Sequence, residues 1–439
     1  MVYTAQEYTK LMNNTMQDVT NIDQTYLLAQ QVIPGGVNSP VRAGHQVGGQ
    51  PLYVSSANGA YLKDTSGKKY LDYINGYGPV ILGHADPGLK SVIESTASLG
   101  WIHGQCHTAE IEFASLIGEL IAGIEQVRLM NSGTEAAMTA VRLARGLTKR
   151  THVIQFGGHY HGHADTLMPQ PSDGGDVING IPSTISSLTQ RLCFNDLNAV
   201  KKQFEANPEG IAAVLVEPIA GNMGMIFSDH DFLKGLRQLC DQYGSLLIFD
   251  EVMTGFRVGL TGATGLLGVQ PDLWVYGKII GGGFPVGALA GPRAMMLELA
   301  PSGRVYQGGT FAANPMVVNA GLHTLRQLMK PGVYEQLNHL TSGLVEGIDG
   351  LAKRYQYPIH GVSAGGMCGV FMQNDRVIQP QHYTSDAKSL YPPLYHALLE
   401  QSILWPPSPD EAMFINLCHN EETLGQTLSA VEKVLQRCR

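Results

Sequence analysis

The 439-residue sequence predicts an α/β protein in which a mostly parallel sheet is covered by helices. Short apolar runs alternate with helical patterns through the middle of the chain, which is typical of βαβ units. The length exceeds what one hydrophobic core usually holds, so a second, smaller domain is expected. The composition, with 44% hydrophobic and 15% charged residues, is that of a folded chain with a large core.

Four apolar runs are the strand candidates of the large domain, which we place over residues 80–330. They cover residues 152–156, 213–217, 246–250 and 273–276. A helix is expected behind a Thr108 cap, with Glu110 and Glu112 in its first turn.

After residue 330 the pattern changes to helices around short strands at 369–372 and 413–416, and a closing helix covers residues 421–436. We assign residues 331–439, together with the N-terminal segment 1–79, to a small α+β domain. The chain ends are therefore expected to fold together.

Charge and cysteine usage exclude several classes of protein. The net charge of −8 and the pI near 6.0 argue against a nucleic-acid or anionic-membrane surface, which needs clustered Lys and Arg. The six cysteines are scattered without a Cys-x-x-Cys pair, which argues against a zinc ribbon or a disulfide scaffold. No secretion signal or apolar run of membrane-spanning length is present, so we expect a cytoplasmic protein.

A lysine precedes a run of glycines in the stretch 276–287. A phosphate-binding loop has the opposite order, and no Ser or Thr follows Lys278. A lysine in an apolar, glycine-rich setting can instead have a lowered pKa and form a Schiff base with a carbonyl compound. Gly281, Gly282 and Gly283 then provide room for close approach and unusual backbone angles.

Asp250 ends the buried-type strand 246–250, and Lys278 follows the next strand candidate. Ligands of parallel sheets bind outside the carboxyl ends of the strands, so both side chains should reach one crevice. A carboxylate there can keep a heterocyclic nitrogen protonated, as a pyridoxal phosphate ring requires. The alternative interpretation of Asp250 is a helix cap.

Three further segments have two interpretations each. Residues 131–136 open a helix and either bind a phosphate at its N-terminus or simply cap it. Residues 157–163 contain three alternating histidines, for which we favour an aromatic lid formed by Tyr160 over a metal site, because no matching ligand cluster stands elsewhere. Residues 170–184 form a long Pro/Gly/Asp loop that either covers a site or lies on the surface.

Together these motifs resemble, in order and spacing, the class III aminotransferases, a group of fold-type I pyridoxal-phosphate enzymes. Within the group the chain is most similar to the glutamate-1-semialdehyde aminomutase family. The stretches that carry the resemblance are 34–43, 81–84, 131–136, 158–165, 217–224, 250–257, 277–283 and 406–409. The resemblance implies a large domain built on a seven-stranded sheet and a small domain formed from both termini.

The resemblance also implies a role for each residue of a site for pyridoxal 5'-phosphate (PLP) or pyridoxamine 5'-phosphate (PMP). Lys278 would bond the cofactor aldehyde and shuttle the proton, and Asp250 would pair with the pyridine nitrogen. The residues implied around the ring and the phosphate are Ser132, Gly133, Thr134, Tyr160, His161, Glu217, Asn222 and Val252, with Thr310 from a neighbouring subunit. A homodimer with shared active sites follows from that last residue.

On the substrate side, the resemblance implies that Ser39 and Arg42 bind a carboxylate, with Tyr306 nearby. Glu411 would face the end of the substrate that carries the amino group. A guanidinium suits the first task because it binds a carboxylate bidentately.

The activity implied is an isomerase reaction of tetrapyrrole (porphyrin) biosynthesis. Glutamate 1-semialdehyde would become 5-aminolevulinate by internal amino exchange through a diamino intermediate. The alternative is an aminotransferase that moves an amino group between a β- or ω-amino acid and a keto acid. Three segments depart from the aminomutase pattern on the substrate side: 102–108 replaces Ser-Phe-Gly-Ala-Pro-Thr, the segment between Asp165 and Asn195 is shorter, and 309–315 replaces Gly-Thr-Leu-Ser-Gly-Asn-Pro.

Overall fold

The computed structural model describes residues 22–168 and 179–437. Of the predicted loop 170–184, residues 170–178 lie outside the described residues. The helices are α1 (Ile22–Val32), α2 (Pro87–Leu99), α3 (Thr108–Leu120), α4 (Gly133–Thr148), α5 (Ser183–Ser186), α6 (Leu197–Ala206), α7 (His230–Tyr243), α8 (Gly262–Leu267), α9 (Arg293–Met296), α10 (Pro315–Leu328), α11 (Val333–Tyr355), α12 (Ser385–Lys388), α13 (Tyr391–Glu400) and α14 (Glu421–Arg437).

The strands fall into one large sheet and several small ones. They are β1 (Val54–Asn58), β2 (Tyr61–Asp64), β3 (Lys69–Asp72), β4 (Gln126–Met130), β5 (His152–Phe156), β6 (Thr189–Leu192), β7 (Ile211–Val216), β8 (Ile219–Ala220), β9 (Ile226–Phe227), β10 (Leu246–Asp250), β11 (Leu273–Gly277), β12 (Gly287–Gly291), β13 (His360–Ala364), β14 (Met367–Phe371), β15 (Ile403–Leu404) and β16 (Met413–Phe414).

The large sheet has seven strands in the order β4-β12-β11-β10-β7-β5-β6. Strand β12 is antiparallel to both of its neighbours, and the other pairs are parallel. The predicted α/β class with a mostly parallel, helix-covered sheet is thereby confirmed. Strands β5 and β10 have the predicted bounds, β11 is one residue longer, and β7 spans 211–216 instead of 213–217.

Burial on both faces explains why these strands are continuous apolar runs. Every residue of β7 and of β11 is buried. Helix α4 packs on this sheet through small side chains, because Ala136, Ala137 and Ala140 are fully buried. Alanine lets the helix backbone lie close to the strands and places the first turn of α4 at the strand ends.

The two ends of the chain contribute to the same small sheet. Strand β15 pairs in parallel with β3 through Ile403 opposite Leu71, which completes the sheet β1-β2-β3-β15. A second antiparallel sheet has the order β13-β14-β16. The domain limits at residues 79 and 330 stay a prediction. In the two described ranges, no helix is both long and apolar enough to span a membrane.

Candidate active site

The predicted crevice lies where the parallel strands of the large sheet end. Ser132 follows β4, His161 follows β5, and Glu217 comes directly after β7. Asp250 is the last residue of β10, and Lys278 comes directly after β11. The carboxyl ends of neighbouring parallel strands share an edge, so the topology alone brings these five segments together.

Asp250 is held in a fixed orientation. Its Oδ2 lies 2.7 Å from His161 Nδ1, and its Oδ1 accepts a hydrogen bond from the Val252 backbone N–H at 3.0 Å. Both members of the Asp250–His161 pair are buried. His161 Nε2 is buried without a hydrogen-bond partner among the described residues. The pair therefore presents an oriented carboxylate, rather than a helix cap, to the crevice.

Glu217 fastens the loop that carries Tyr160. Its Oε1 accepts from the Tyr160 backbone N–H at 2.8 Å and from Asn222 Nδ2 at 3.0 Å, while Oε2 accepts from the Gly221 N–H at 3.0 Å. Burial raises the pKa of Glu217. The Tyr160 backbone is thus fixed, whereas its side chain is 54% exposed and available to a ligand.

Two of the three alternating histidines, His159 and His161, contact Glu217 and Asp250. His159 Nδ1 accepts a hydrogen bond from the Glu217 backbone N–H at 3.1 Å, which requires a neutral ring at that nitrogen. Burial holds the pKa of His159 well below its usual value. Within the described ranges, no three His, Cys, Asp or Glu side chains are grouped as metal ligands. The contacts of His159 and His161 are those of supports for Glu217 and Asp250.

The N-terminus of α4 forms another wall of the crevice. Ser132 caps the helix, and its Oγ accepts from the Glu135 backbone N–H at 3.2 Å. A Cβ at Gly133 would lie 2.9 Å from Val252 Cγ2, and one at Gly162 would lie 2.2 Å from Thr134 Oγ1. The histidine loop and Val252 therefore pack directly on a first helical turn whose N–H groups lack intrahelical acceptors.

Lys278 has an unusual backbone for a residue with a side chain. Its φ is +48°, in the left-handed region. Burial lowers the pKa of Lys278, although the carboxylates of Glu411, Glu217 and Asp250 oppose that shift. Of the glycines expected to need unusual angles, Gly282 and Gly283 have φ values of +58° and +100°.

Glu411 and Arg42 are the charged residues predicted for the substrate. Burial raises the pKa of Glu411 to about 7, against the effect of nearby Lys278. Tyr77 interacts electrostatically with both Glu411 and Arg42. Arg42 is exposed and follows Ser39 in a short turn, where its backbone N–H donates to the Ser39 carbonyl at 3.1 Å.

Two predicted site residues lie apart from this cluster. Tyr306 is 73% exposed, and Thr310 is exposed without a hydrogen bond to any described residue. The loop that carries them passes close to the α4 N-terminus, because a Cβ at Gly309 would lie 2.9 Å from Asn131 Nδ2. Within one chain, the structure does not bring Tyr306 or Thr310 to Lys278.

The sequence analysis did not identify Tyr77 and Arg257 as residues of the site. Arg257 is fully buried and ends the motif 250–257, but the motif gives no sign of what its side chain contacts. Tyr77 has a φ of +63° within a glycine-rich turn, and its position becomes clear only when both chain ends are in place.

Comparison with known proteins is consistent with this geometry. Residues 43–434 match the family model described as aminotransferase class-III. A glutamate-1-semialdehyde 2,1-aminomutase of Legionella pneumophila (strain Philadelphia 1) is 45% identical over 417 residues, which cover 94% of this chain and 97% of that protein.

Two solved structures share the fold. An omega-transaminase from Sphaerobacter thermophilus is 29% identical, with a TM-score of 0.87 and coverage of 94% of this chain and 97% of that one. A glutamate-1-semialdehyde-aminomutase from Pseudomonas aeruginosa PAO1 in complex with PMP is 24% identical, with a TM-score of 0.84 and coverage of 94% of both chains. At that identity the second structure supports the fold alone.

Proposed function

Because the chain belongs to the class III aminotransferases, we propose that it is an aminomutase that converts glutamate 1-semialdehyde into 5-aminolevulinate. The observation that carries the proposal is the 45% identity to a protein of that name across 94% of the chain. The family match over residues 43–434 includes both Lys278 and Glu411. The reaction is an isomerisation, and its product serves tetrapyrrole synthesis.

The residues present fit PLP and PMP, the cofactors of this family. The α4 N-terminus with Ser132, Gly133 and Thr134 suits a phosphate dianion, because it combines free N–H groups, hydroxyls and the positive end of the helix dipole. The oriented Asp250 carboxylate suits a protonated ring nitrogen. The remaining residues that would surround the cofactor are Tyr160, His161, Glu217, Asn222, Val252, Lys278 and, from a second subunit, Thr310.

When bound, the cofactor supplies a temporary carrier for the amino group and an electron sink. Lys278 supplies the base: with a lowered pKa, its amine is neutral more often than that of an ordinary lysine and can accept a proton and return it. The contact with His161 holds the Asp250 carboxyl group in one orientation. Glu217 holds the backbone of Tyr160 in place.

The substrate has a carboxylate and an amine, and the crevice offers a partner for each. Arg42 can bind the carboxylate bidentately with help from Ser39. Glu411, with a pKa of about 7, exists in both protonation states near neutral pH and can accept a hydrogen bond from the amine or return a proton. Tyr77 interacts electrostatically with both groups.

The experiment is to load purified enzyme with PMP and add glutamate 1-semialdehyde without another amino donor. We expect many equivalents of 5-aminolevulinate per site, because only internal exchange regenerates the cofactor form. An aminotransferase would stop at or below one equivalent, and that result would contradict the proposal. The 45% identical relative does not favour this alternative, and the Lys278→Ala variant is the negative control.

We further infer a homodimer with shared active sites in the cytoplasm. Three large apolar side chains are exposed near the loop of Thr310 and in the segment before α3, namely Trp101 (62%), Tyr306 (73%) and Phe311 (61%). A second copy of the chain would cover such residues and bring Thr310 to the phosphate end of its neighbour's crevice. All five cysteines in the described ranges are free thiols, which supports a reducing compartment.

A further inference from the structure

Arg257 carries a buried charge without a carboxylate partner in the described ranges. Its side chain is fully buried, and its guanidinium donates only to backbone carbonyls. Nη1 contacts Ile415 O at 2.7 Å and Gly366 O at 3.3 Å, and Nη2 contacts Gly78 O. A buried charge is costly unless it is paired, so an arginine held by dipoles alone calls for an explanation.

The three carbonyls come from segments far apart in sequence. Gly78 belongs to the N-terminal segment, whereas Gly366 and Ile415 flank strands of the C-terminal part. Arg257 also binds through its backbone, because its carbonyl accepts from the Gly366 N–H at 3.1 Å. Its Cζ lies 5.4 Å from the centre of the Phe414 ring. The guanidinium thus joins the turn after β10 to both ends of the chain.

One of these contacts leads directly to Lys278. Gly78 has a φ of +117°, and a Cβ there would lie 3.2 Å from Lys278 Cδ and 3.4 Å from Phe414 Cε1. The glycine therefore packs against the stem of the lysine, while its carbonyl is bound by Arg257. Arg257 and Lys278 contact the same residue through its carbonyl and its Cα.

We propose that Arg257 is a positioning residue for Lys278. Its guanidinium, which has no carboxylate partner in the described ranges, fixes Gly78 against the lysine side chain and places a positive charge near the amine. The inference deepens the proposed function and rests on Lys278 being the reacting amine. No contact between Arg257 and substrate is involved.

The charges that face Lys278 show why a cation is useful at this place. Glu411, Glu217 and Asp250 each favour the charged ammonium, whereas Arg257 favours the neutral amine. Arg257 itself faces Tyr334, a neutral phenol whose pKa is raised by burial. Without Arg257, the three carboxylates would act on Lys278 unopposed by any cation that faces it in the described ranges.

The test is to compare Arg257→Met, which removes the charge, with Arg257→Lys, which keeps it. Cofactor-free protein is mixed with PLP from pH 6 to 10, and covalent bonding is followed by visible absorbance. Lys278→Ala identifies the amine that reacts. We expect Arg257→Met to move the midpoint of the pH profile upward and to slow bonding at pH 7 roughly tenfold, because the ammonium form is favoured. Arg257→Lys should keep the midpoint of the unchanged protein.

A purely structural role predicts a different result. Arg257→Met would then unfold at lower temperature but bond PLP at the rate and with the midpoint of the unchanged protein. That outcome, or an equal upward shift in Arg257→Lys, would overturn the proposal. Slower bonding at every pH with an unchanged midpoint would support the positioning of Gly78 and overturn the charge effect. The measurement contains no glutamate 1-semialdehyde, so its result is independent of whether the aminomutase assignment holds.

Gly78→Ala tests the other half of the contact and is available if Arg257→Met does not fold. A methyl group at this residue meets Lys278 Cδ and also strains the positive φ. We expect folded Gly78→Ala to bond PLP at least roughly tenfold more slowly across the whole pH range, with the midpoint unchanged. An unaltered rate would show that Gly78 does not position the lysine.

Discussion

Lys278 and Glu411 interact electrostatically, and burial acts on both charges. Burial lowers the pKa of the amine and raises the pKa of the carboxyl group, so each is pushed toward its neutral form. Their mutual attraction opposes both shifts, and desolvation prevails. Each group is therefore neutral over a wider pH range than it would be in water, which suits acid–base work on a bound substrate.

The raised pKa of Glu411 predicts a pH-dependent stability. Between pH 4.5, the ordinary value, and about 7, the native carboxyl group binds a proton more tightly than the unfolded one. The free energy of unfolding must therefore fall as the pH rises through this window, by about 3 kcal/mol from this group. Urea unfolding of the cofactor-free protein at pH 5 and pH 7.5 measures this change. Between the two pH values, Glu411→Gln should lose less free energy of unfolding than the unchanged protein.

Glu209→Gln is the matched control, because Glu209 is exposed. It should lose as much stability as the unchanged protein between the two pH values. An identical loss in Glu411→Gln would mean that this carboxyl group is already ionised at pH 5.

At the residue scale, the sequence predicted where side chains at the ends of strands would lie. Asp250 and Lys278 could be placed in one crevice because parallel strands share a carboxyl edge. Arg257 and Tyr77 could not, since their roles depend on contacts with carbonyls and charges from distant segments. Burial of a charge is a property of the packed chain, and no local pattern encodes it.

At the scale of elements, the start of α3 differs from the prediction. Thr108 is the first residue of the helix and not its cap, and His107 precedes it. Glu110 Oε1 reaches back to accept the His107 backbone N–H at 2.9 Å, which fixes the start one residue earlier. His107 Nε2 then donates to the Ala313 carbonyl at 2.9 Å. Two segments that depart from the aminomutase pattern, 102–108 and 309–315, thus touch each other.

This contact predicts the effect of His107→Ala. Ala313 has a φ of +58°, a strained angle for alanine that its neighbours must maintain. Loss of the hydrogen bond should lower the free energy of unfolding by about 1 kcal/mol. The nearby His103→Ala is the control, because it loses the same edge-to-face contact between the His103 and His107 rings, whose centres are 6.1 Å apart, and only one long hydrogen bond, 3.4 Å from Leu99 O. Chemical denaturation of both variants measures the difference, and equal stabilities would show that the His107 contact contributes nothing.

Strands were predictable where burial made them apolar. Strand β12 was missed because Gly287–Gly291 contains only glycine, alanine and one leucine, a composition with little strand preference. It becomes a strand because it pairs with β11 on one side and β4 on the other. The hydrogen bonds to β11 and β4 therefore stabilise a strand that its own side chains do not favour.

At the scale of the whole molecule, the crevice is complete only when segments near both ends of the chain are packed together. Asn416 Nδ2 donates to Asn75 Oδ1 at 2.6 Å across 341 positions of sequence. Arg257, Gly78 and Phe414 meet in the same way. The sequence could predict that both ends share a small domain, but the side-chain pairs that join them are set by the final packing. For this reason the cofactor side of the crevice was easier to predict than the substrate side.

The shared site of the proposed dimer predicts complementation between two inactive variants. Lys278→Ala removes the reacting amine, and Thr310→Ala removes the hydroxyl expected to reach the neighbour's phosphate, so each homodimer should be strongly impaired. In a mixed dimer, one crevice combines an intact Lys278 with an intact Thr310 from the other subunit. Doubly tagged, purified mixed dimers should therefore regain about half of the wild-type rate of 5-aminolevulinate formation, because one of two sites is complete.

Thr310→Ser keeps the hydroxyl and should remain active as a homodimer, which separates loss of that group from loss of the fold. The two readings of Thr310 differ in the mixed dimer. If Thr310 served its own subunit, every crevice would lack either the lysine or the hydroxyl, and no activity would return. A monomer in sedimentation experiments would contradict the shared site as well, because the exposed loop that carries Thr310 lies apart from Lys278 within one chain.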